Sequence, residues 1–385
     1  MTFQVNKEEG FSLRKSHLGK SRRVVVKVGS AVLTGEDGLN LSVMENLAQE
    51  ISFLVETGKE VILVSSGAVA AGKKRLGLQV NRKLELKEKQ GAAAVGQSSL
   101  MRFYEDIFDH LGYKVAQVLL THDDLSNRNR YLNIRNTILT LLEWKIIPII
   151  NENDTVSVEE LRFGDNDTLG ALITNLIEAD LFICLTDVDS LYTGNPHEDP
   201  EAMPVYTIAK VDKKVEAMAG YVVGALGTGG MQSKIQAARM VSARGGSSFI
   251  GSGREQKIVQ QLFACEPVGT FFLPQAEKMQ SRKHWIAYVL RPKGYLVLDQ
   301  GACKALMKGG KSLLPSGILE VRGNFKVGAP VQCLDEKGNA IATGLSNYSA
   351  NDLSKIKGLK TVDIEKTLGY KDSDEVIHRD NLVVL

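Results

Sequence analysis

The sequence is poor in cysteine, and the cysteines that it has lie far apart. Cys184, Cys265, Cys303 and Cys333 show no paired spacing, which argues against a disulfide framework and against a zinc site. No apolar run approaches the roughly 18 residues of a membrane span. The N-terminus mixes acidic with basic residues and lacks an apolar signal core. Together these absences favour a protein of the reducing cytoplasm.

The chain also lacks a strong excess of charge of either sign. Its formal net charge is +2 over 385 residues. Residues 284–385 carry 14 Lys or Arg against 11 Asp or Glu, and the part before them carries 33 against 34. Such a balance offers no general attraction to nucleic acid or to a membrane. With 43% hydrophobic residues the chain can bury large cores, and its length favours two domains.

Three common ligand motifs are absent. No Gly-Lys-Ser/Thr follows a glycine at the spacing of a P-loop, and the first strand-to-helix turn lacks Gly-x-Gly-x-x-Gly. The Asp-rich segment that begins at Asp165 is not a calcium loop of the EF-hand type, because Leu176 occupies the position of the bidentate Glu. Any nucleotide or metal chemistry must therefore be inferred from other residues.

From Val24 onwards, strand and helix patterns alternate, which predicts an α/β fold with a mainly parallel open sheet sandwiched by helices. The predicted strands are 24–28, 61–64, 114–120, 146–150, 181–185 and 247–251. Pro148 fits a central strand poorly because it has no N–H. We therefore expect its strand to be bulged, to lie at an edge, or to be shorter than its apolar run.

Clusters of polar residues accompany three of these predicted elements. Asn151–Asp154 follow one strand, Gly164–Thr168 open a helix with apolar periodicity, and Thr186–Asp187 end another strand. A single Asp-rich segment is commonly only a helix cap and a turn. Three on neighbouring elements favour a site for a cationic or metal-bound small molecule at the carboxyl edge of the sheet.

Two glycine-containing loops each carry a lysine. Lys27 lies in an apolar strand just before Gly29-Ser30, and Gly227–Lys234 open a second helix. A buried lysine needs an anionic partner, although its amine can instead snorkel to water. Glycine allows the backbone to approach a phosphate, and free N–H groups at a helix start bind anions. With the Asp/Asn cluster, the two loops favour phosphoryl transfer, which needs positioning and charge neutralisation.

Composition along the chain predicts four regions. Residues 1–21 are expected to be a disordered extension, and residues 22–263 to form the α/β domain. Residues 264–283, with two prolines among mixed polar residues, are expected to be a linker. Residues 284–385 show short strands at 295–298, 318–321, 330–334 and 340–344, with one short helix at 302–307. This last region predicts a small β-rich, barrel-like domain.

Six segments together resemble the glutamate 5-kinase family of the amino acid kinase fold. They are Val24–Ser30, Val64–Ala68, Ile150–Asp154, Gly164–Asp167, Leu185–Asp187 and Gly227–Lys234. The C-terminal region resembles a PUA domain, and the resemblance covers about residues 22–380. It implies ATP-dependent phosphorylation of the side-chain carboxylate of L-glutamate to L-glutamate 5-phosphate, the first step of proline biosynthesis, with ATP and Mg²⁺ as cofactors.

The resemblance also implies roles for individual residues. Lys27 and Lys234 would neutralise the transferring phosphoryl group, and Asp167 would hold the two lysines. The implied glutamate-binding residues are Ser66, Gly67, Asn151, Asp154, Asp165 and Asn166. The implied ATP-binding residues are Lys27, Gly29, Ser30, Thr186, Asp187, Thr228, Gly229, Gly230, Met231, Gln232, Ser233 and Lys234. No protein ligand for a metal is predicted.

Other functions stay open beside this one. The same fold serves kinases of aspartate, acetylglutamate, carbamate and uridylate, although these generally lack the C-terminal domain. PUA domains elsewhere bind structured RNA, but a small net charge on residues 284–385 argues against a surface that tracks phosphates.

Further partners follow from the resemblance. It implies feedback inhibition by L-proline. We also expect a homo-oligomer, although the sequence does not give the oligomeric state, and the cysteine content favours a cytoplasmic location. The resemblance leaves open a transient association with the downstream reductase, which would shield a labile acyl phosphate.

Overall fold

The computed structural model describes residues 6–35, 38–79, 82–156, 166–196, 198–218, 230–275, 279 and 281–385. The chain divides into two compact units, Met1–Lys278 and Met279–Leu385. The division falls within the region 264–283 that the sequence predicts to be a linker. That region is not a simple linker, however, because Thr270–Phe272 form a strand of the large sheet.

Helices and strands alternate along the first unit. Its helices are α1 (Lys7–Lys20), α2 (Ser30–Leu33), α3 (Leu41–Glu56), α4 (Ala68–Arg75), α5 (Leu86–His110), α6 (His122–Ser126), α7 (Arg128–Glu143), α8 (Asn166–Leu176), α9 (Lys213–Met218), α10 (Met231–Ala243) and α11 (Ile258–Phe263). Its strands are β1 (Arg23–Val28), β2 (Thr34–Gly35), β3 (Gly38–Leu39), β4 (Glu60–Val64), β5 (Val115–Leu120), β6 (Ile147–Glu152), β7 (Leu181–Thr186), β8 (Thr207–Ile208), β9 (Ser247–Ser252) and β10 (Thr270–Phe272).

Eight of these strands form one sheet in the order β5-β6-β4-β1-β7-β9-β10-β8. β1 lies near the centre between β4 and β7, and the pairs from β5 across to β9 are all parallel. Only the pairing of β9 with β10 is antiparallel among the described strands of this sheet. The carboxyl ends of β1, β4, β6 and β7 therefore meet at one edge. The predicted mainly parallel sheet is confirmed.

Helices bury their apolar faces against this sheet. Met44, Ile51 and Leu54 of α3 are completely buried in the core, as the spacing of apolar residues predicts. Every side chain of α8 from Leu169 to Leu176 is buried. Since α8 begins at Asn166, its burial carries the polar residues of its first turn into the interior.

Pro148 lies in β6, second from the edge of the sheet and without a bulge toward β5. The N–H of Ile147 donates to Lys114 O, so the backbone hydrogen-bonding groups of Ile147 point toward β5. Because the backbone groups of successive residues in a strand point to opposite sides, those of Pro148 point toward β4. The pairing with β4 begins only at Ile149. β6, which is Ile147–Glu152, is therefore neither bulged toward β5, nor at an edge, nor shorter than its apolar run, and the three expectations for it are wrong. The missing N–H is tolerated because it falls where the β4 ladder has not yet started.

The structure corrects the expectation that residues 1–21 are disordered, because residues 7–20 form α1. Leu18 joins the core, and Arg14 is completely buried. The Arg14 guanidinium donates to Val268 O at 2.9 Å and lies over the rings of Phe249 and Phe271. A helix anchored by arginine and aromatic contacts shows no apolar stripe, so the sequence pattern could not reveal it.

The second unit, taken by itself, is β-rich, as predicted. Its helices are α12 (Ser281–His284), α13 (Gln300–Gly309), α14 (Ala350–Ile356) and α15 (Ile364–Leu368), and its strands are β11 (Gly294–Leu298), β12 (Ile318–Gly323), β13 (Pro330–Leu334), β14 (Ala340–Leu345) and β15 (Leu382–Val384). The sheet has the order β12-β11-β13-β14-β15 around a core that includes Leu296, Val331 and Leu353. The sequence predicts one of these helices, α13, and misses α12, α14 and α15 as well as the strand β15.

Within the described ranges, no helix combines the length and the apolar character needed to cross a membrane.

Candidate active site

Asp167 lies at the centre of the site, between two lysines. Its carboxylate is completely buried, and Lys27 and Lys234 are 4% and 5% exposed. Lys27 Nζ donates to Asp167 Oδ1, and Lys234 Nζ donates to Oδ2 at 3.1 Å. We call these three residues the charge centre. Lys27 is therefore a buried cation with an anionic partner, and the alternative of a snorkelling lysine is wrong.

Two neutral groups complete the bonding of this carboxylate. Ser233 Oγ donates to Asp167 Oδ2 at 2.7 Å, and Cys184 Sγ donates to Oδ1 at 3.3 Å. Each carboxylate oxygen thus accepts from one lysine and one neutral donor. Four donors fix the orientation of Asp167, and through it the positions of both ammonium groups.

The electrostatics of the charge centre favour an ionised Asp167. Burial alone would raise the pKa of Asp167, but Lys27, Lys234 and the hydrogen bonds from Lys27 and Ser233 hold that pKa well below its ordinary value. Burial, followed by the negative charge of Asp167, raises the pKa of Cys184 to about 12. Cys184 is therefore a neutral thiol donor rather than a thiolate.

Three different elements deliver the charge centre to one place. Lys27 comes from the end of β1, Asp167 from the first turn of α8, and Lys234 from the first turn of α10. Gly170 allows α8 to pack this closely, because a Cβ there would meet the ring of Phe182 at 2.6 Å and Lys27 Cβ at 3.4 Å. The second lysine loop thus brings its ammonium to the same carboxylate as the first.

A second cluster lies beside the charge centre and is made of uncharged amides. Asn166 Nδ2 lies 2.6 Å from Ser65 O, 2.8 Å from Ser66 Oγ and 3.1 Å from Asn151 Oδ1. Asn151 Nδ2 donates to Gln97 Oε1 at 2.9 Å. We call Gln97, Asn151 and Asn166 the amide network. Its members come from α5, β6 and α8, so it ties three elements together at the carboxyl edge of the sheet.

The other predicted residues lie around these two clusters. Gly67 adopts a left-handed conformation (φ +94°) at the start of α4, and a Cβ there would meet Leu39 Cδ2 at 3.3 Å. Asp154 is half-buried in the turn after β6. Thr186 is buried at the end of β7, and its hydroxyl donates to Asp187 Oδ1 at 3.0 Å.

The remaining candidates belong to the two glycine loops. Gly29 precedes α2, its N–H donates to Leu185 O, and the exposed Ser30 begins that helix. Gly230 precedes α10, in which Met231 is buried and Gln232 is exposed. Asp165, Thr228 and Gly229 lie outside the described residues, so their predicted roles stay predictions. Among the described residues, no group of three or more His, Cys, Asp or Glu side chains could hold a metal ion.

Sequence reasoning missed three side chains that the structure places here. Gln97 and Tyr104 lie on α5, and Tyr104 OH is 2.8 Å from Ser65 Oγ. From the sequence, Cys184 is only one of four cysteines without paired spacing. None belongs to a short motif. The spacing along the sequence did indicate that these residues share one face of α5. Gln97 and Tyr104 are seven residues apart and therefore lie on the same helical face as the buried Leu100.

Comparison with known proteins identifies the family of the chain. The sequence model of the amino acid kinase family matches residues 22–252, and that of the PUA domain matches residues 294–368. The chain is 58% identical over 373 residues to the glutamate 5-kinase of Desulfotalea psychrophila, covering 97% of this chain and 99% of that protein. It is 49% identical over 372 residues to the glutamate 5-kinase of Syntrophotalea carbinolica, covering 97% and 100%.

A solved carbamate kinase from Giardia lamblia, bound to AMP-PNP, superposes with a TM-score of 0.49 at 17% identity, over 67% of this chain and 100% of that one. The family assignment rests on the sequence matches. They cover most of the chain and nearly the full length of the relatives. The chain belongs to the glutamate 5-kinase branch of the amino acid kinase family, and it carries a C-terminal PUA domain.

Proposed function

We propose that the chain transfers the γ-phosphoryl group of ATP to the side-chain carboxylate of L-glutamate and so forms L-glutamate 5-phosphate, the first step of proline biosynthesis. The observation that carries the proposal is the charge centre, in which one buried carboxylate holds two lysine ammonium groups at the carboxyl edge of a parallel sheet. The identity of the relatives supports glutamate as the acceptor.

The reaction needs little covalent help from the protein. A carboxylate oxygen of glutamate attacks the γ-phosphorus, the new O–P bond forms, and the bond from that phosphorus to the bridging β,γ-oxygen breaks, so that ADP leaves with the electron pair. A carboxylate is already deprotonated at neutral pH, so no general base is required. The main contribution to the activation barrier is the repulsion between the two anions as they approach. Fixed positive charge lowers that barrier.

The two lysines supply that charge from fixed positions. Asp167 accepts from each through a different oxygen, so both ammonium groups are held at one carboxylate. Their stabilisation is ready before the reaction begins and needs no rearrangement as charge builds on the γ-phosphoryl oxygens. Gly29 and the start of α10 allow phosphate oxygens to approach backbone N–H groups.

Mg²⁺ fits this site as a companion of the nucleotide. Asp167 already accepts four hydrogen bonds, so it has little capacity left to bind a metal. We therefore expect the phosphates of ATP to hold the ion. Bound in that way, Mg²⁺ supplies further neutralisation of phosphate charge.

The amide network suits the acceptor. In the described part of the chain, Asn166 uses its Nδ2 for its hydrogen bonds, which leaves Oδ1 to accept from the ammonium of an amino acid. Asp154 offers that ammonium a charged partner, and the Ser66–Gly67 turn offers donors to a carboxylate. A zwitterionic substrate with a second carboxylate thus finds complementary groups on the side next to the charge centre.

Several partner relations belong to the same proposal. L-Proline shares the α-carboxylate and a cationic nitrogen with glutamate, so we propose that it inhibits by occupying the glutamate site. We also propose a homo-oligomer, a cytoplasmic location and a transient contact with the reductase that consumes the acyl phosphate. The four cysteines, all free thiols, support a reducing compartment.

The test is an assay of ADP release with glutamate, aspartate, acetylglutamate and carbamate offered in parallel. We expect glutamate to exceed each of the others by at least about a hundredfold in kcat/KM, because an unmatched polar group leaves buried partners unpaired. A preference for any other acceptor would overturn the assignment of substrate while leaving the kinase chemistry in place. ADP release that no acceptor increases would overturn both.

A further inference from the structure

Gln97 is a part of the site that neither short motifs nor its neighbours in sequence reveal. It lies in the middle of α5 and is half-buried. Its Oε1 accepts from Asn151 Nδ2 at 2.9 Å, and Asn151 Oδ1 in turn lies 3.1 Å from Asn166 Nδ2. Gln97 is therefore two hydrogen bonds away from the group that would meet the amino acid.

Backbone groups fix the direction of two side-chain amides of the amide network, those of Asn166 and Asn151. Asn166 Nδ2 donates to Ser65 O, which can only accept. Asn151 Oδ1 accepts from the N–H of Glu152 at 2.9 Å, and that N–H can only donate. Asn151 must therefore turn its Nδ2 toward α5, where it needs an acceptor. Gln97 Oε1 is that acceptor, and without it a part-buried NH₂ group would lose its partner.

Close packing of two helices places Gln97 within reach. A Cβ on Gly72 of α4 would lie 1.8 Å from Ala92 O, and a Cβ on Gly96 of α5 would lie 1.8 Å from Ala68 O. The two backbones are thus in direct contact just after the Ser65–Gly67 turn. Two turns further along the same face of α5, Tyr104 OH contacts Ser65 Oγ. α5 therefore supports the acceptor side at two points.

We propose that Gln97 is a positioning residue for the acceptor amino acid. By accepting from Asn151, it keeps the Asn151 and Asn166 amides in the one orientation in which Asn166 Oδ1 can receive an ammonium group. This inference rests on the proposed function, and it assigns Gln97 to the acceptor side alone. ATP, which meets the charge centre and the glycine loops, does not depend on it.

The test compares two substitutions of nearly equal size. Gln97→Met removes the acceptor, and we expect it to raise the KM for glutamate about tenfold, while kcat and the KM for ATP stay within about twofold. Gln97→Glu keeps an oxygen for Asn151 Nδ2, and we expect its glutamate KM to remain within about threefold of wild type. Ser98→Ala is the matched control, because Ser98 is exposed on the same helix and its hydroxyl donates to Val95 O.

Direct binding separates positioning from a general loss of structure. Calorimetry should show glutamate affinity falling with Gln97→Met in parallel with KM, while the thermal midpoint falls by no more than a few degrees, because one NH₂ group loses its partner. If Gln97→Met does not fold, Gln97→Ala removes the same acceptor without added bulk. The role of Gln97 would be overturned if a folded variant without the acceptor kept the wild-type KM for glutamate. It would also be overturned if the KM for ATP rose as much as the KM for glutamate. A wild-type chain that ignores glutamate would instead overturn the proposed function.

Discussion

The charge centre and the amide network lie side by side, yet they are held together by opposite means. The charge centre consists of three ions that are at least 95% buried, and its two ammonium groups share one carboxylate, which leaves a net charge of +1. The amide network has no net charge and obtains its order from backbone groups that can only donate or only accept. In the proposed function, the charge centre would offer fixed positive charge to a phosphoryl group that gains negative charge. The amide network would orient a zwitterionic amino acid, whose own groups carry the charges.

This difference sets the size of the effects that substitutions should have. Removing one partner of a buried ion pair costs about 3–5 kcal/mol, because a charge stays behind without compensation. A neutral hydrogen bond contributes about 0.5–1.5 kcal/mol. We therefore expect the charge centre to control both turnover and stability, and the amide side to control mainly the affinity for the acceptor.

The largest effect is expected from the lysines. Lys27→Met and Lys234→Met should each lower kcat about a hundredfold or more, equivalent to about 3 kcal/mol of transition-state stabilisation. Each should also lower the thermal midpoint, because the buried Asp167 loses a cation. Steady-state kinetics and thermal unfolding check both statements. A folded variant that keeps a third of wild-type turnover would show that its lysine is not part of the reaction.

A double variant separates the two consequences. In Lys27→Met/Asp167→Asn, the unpaired carboxylate is gone, so much of the lost stability should return. Turnover should stay low, because the transferring phosphoryl group still lacks its cation. Recovery of activity together with stability would mean that Lys27 acts only by keeping the fold intact.

The next effect in size concerns the acceptor side. Asp154→Ala should raise the KM for glutamate about tenfold and change kcat little, because a partner of the substrate ammonium binds ground state and transition state about equally. Inhibition by proline should weaken in parallel, since both ligands present a cationic nitrogen. A large loss of kcat at unchanged KM, or normal proline binding by the variant, would contradict the shared site.

The sequence predicted these two regions to different degrees, and the reason is physical. Lys27, Asp167 and Lys234 each stand in a short segment whose composition indicates anion or cation chemistry, so local patterns identify them. β1 and α10 bring their lysines to the carboxylate on α8. This meeting follows from the order of the strands in the sheet, which a short stretch of adjacent residues does not encode. The parallel sheet was predictable from alternation, whereas strands of two or three residues such as β8 and β10 show no measurable period.

The amide side shows where such prediction ends. Gln97 reaches Asn151 only because Gly72 and Gly96, 24 residues apart, allow two helices to touch through their backbones. A glycine within a helix indicates close approach but does not name the partner. Similarly, α1 depends on a buried arginine over aromatic rings, and its sequence lacks an apolar stripe. Contacts between elements distant in the chain decide both cases.

A smaller effect should appear at acid pH. The pKa of Asp167 lies below its ordinary value of 3.8, so this group adds stability that is present above that value and lost as the pH falls toward the folded-state pKa. Asp167→Asn should be less stable than wild type by a constant margin from pH 8 to pH 5. The margin should shrink only below about pH 4. Chemical denaturation across this range is the measurement, and a margin that shrinks between pH 7 and pH 5 would contradict an ionised Asp167.

The smallest effect is expected from removing the second unit. Both the charge centre and the amide network are built from residues of the first unit, which has its own sheet and core. A chain ending at Lys278 should therefore fold and keep its KM for ATP and for glutamate within about twofold of wild type. Ending the chain there, rather than at residue 263, retains β10, which pairs with both β9 and β8.

Comparing the two truncations makes this last test sharper. A chain ending at Phe263 removes β10 and the Val268 carbonyl that accepts from the buried Arg14, so it should unfold at a lower temperature than the chain ending at Lys278. If the longer truncation is also inactive, residues 279–385 take part in the fold or assembly of the kinase unit. If it is active but no longer inhibited by proline, proline acts through the second unit, and the competition for one shared acceptor site proposed here is wrong.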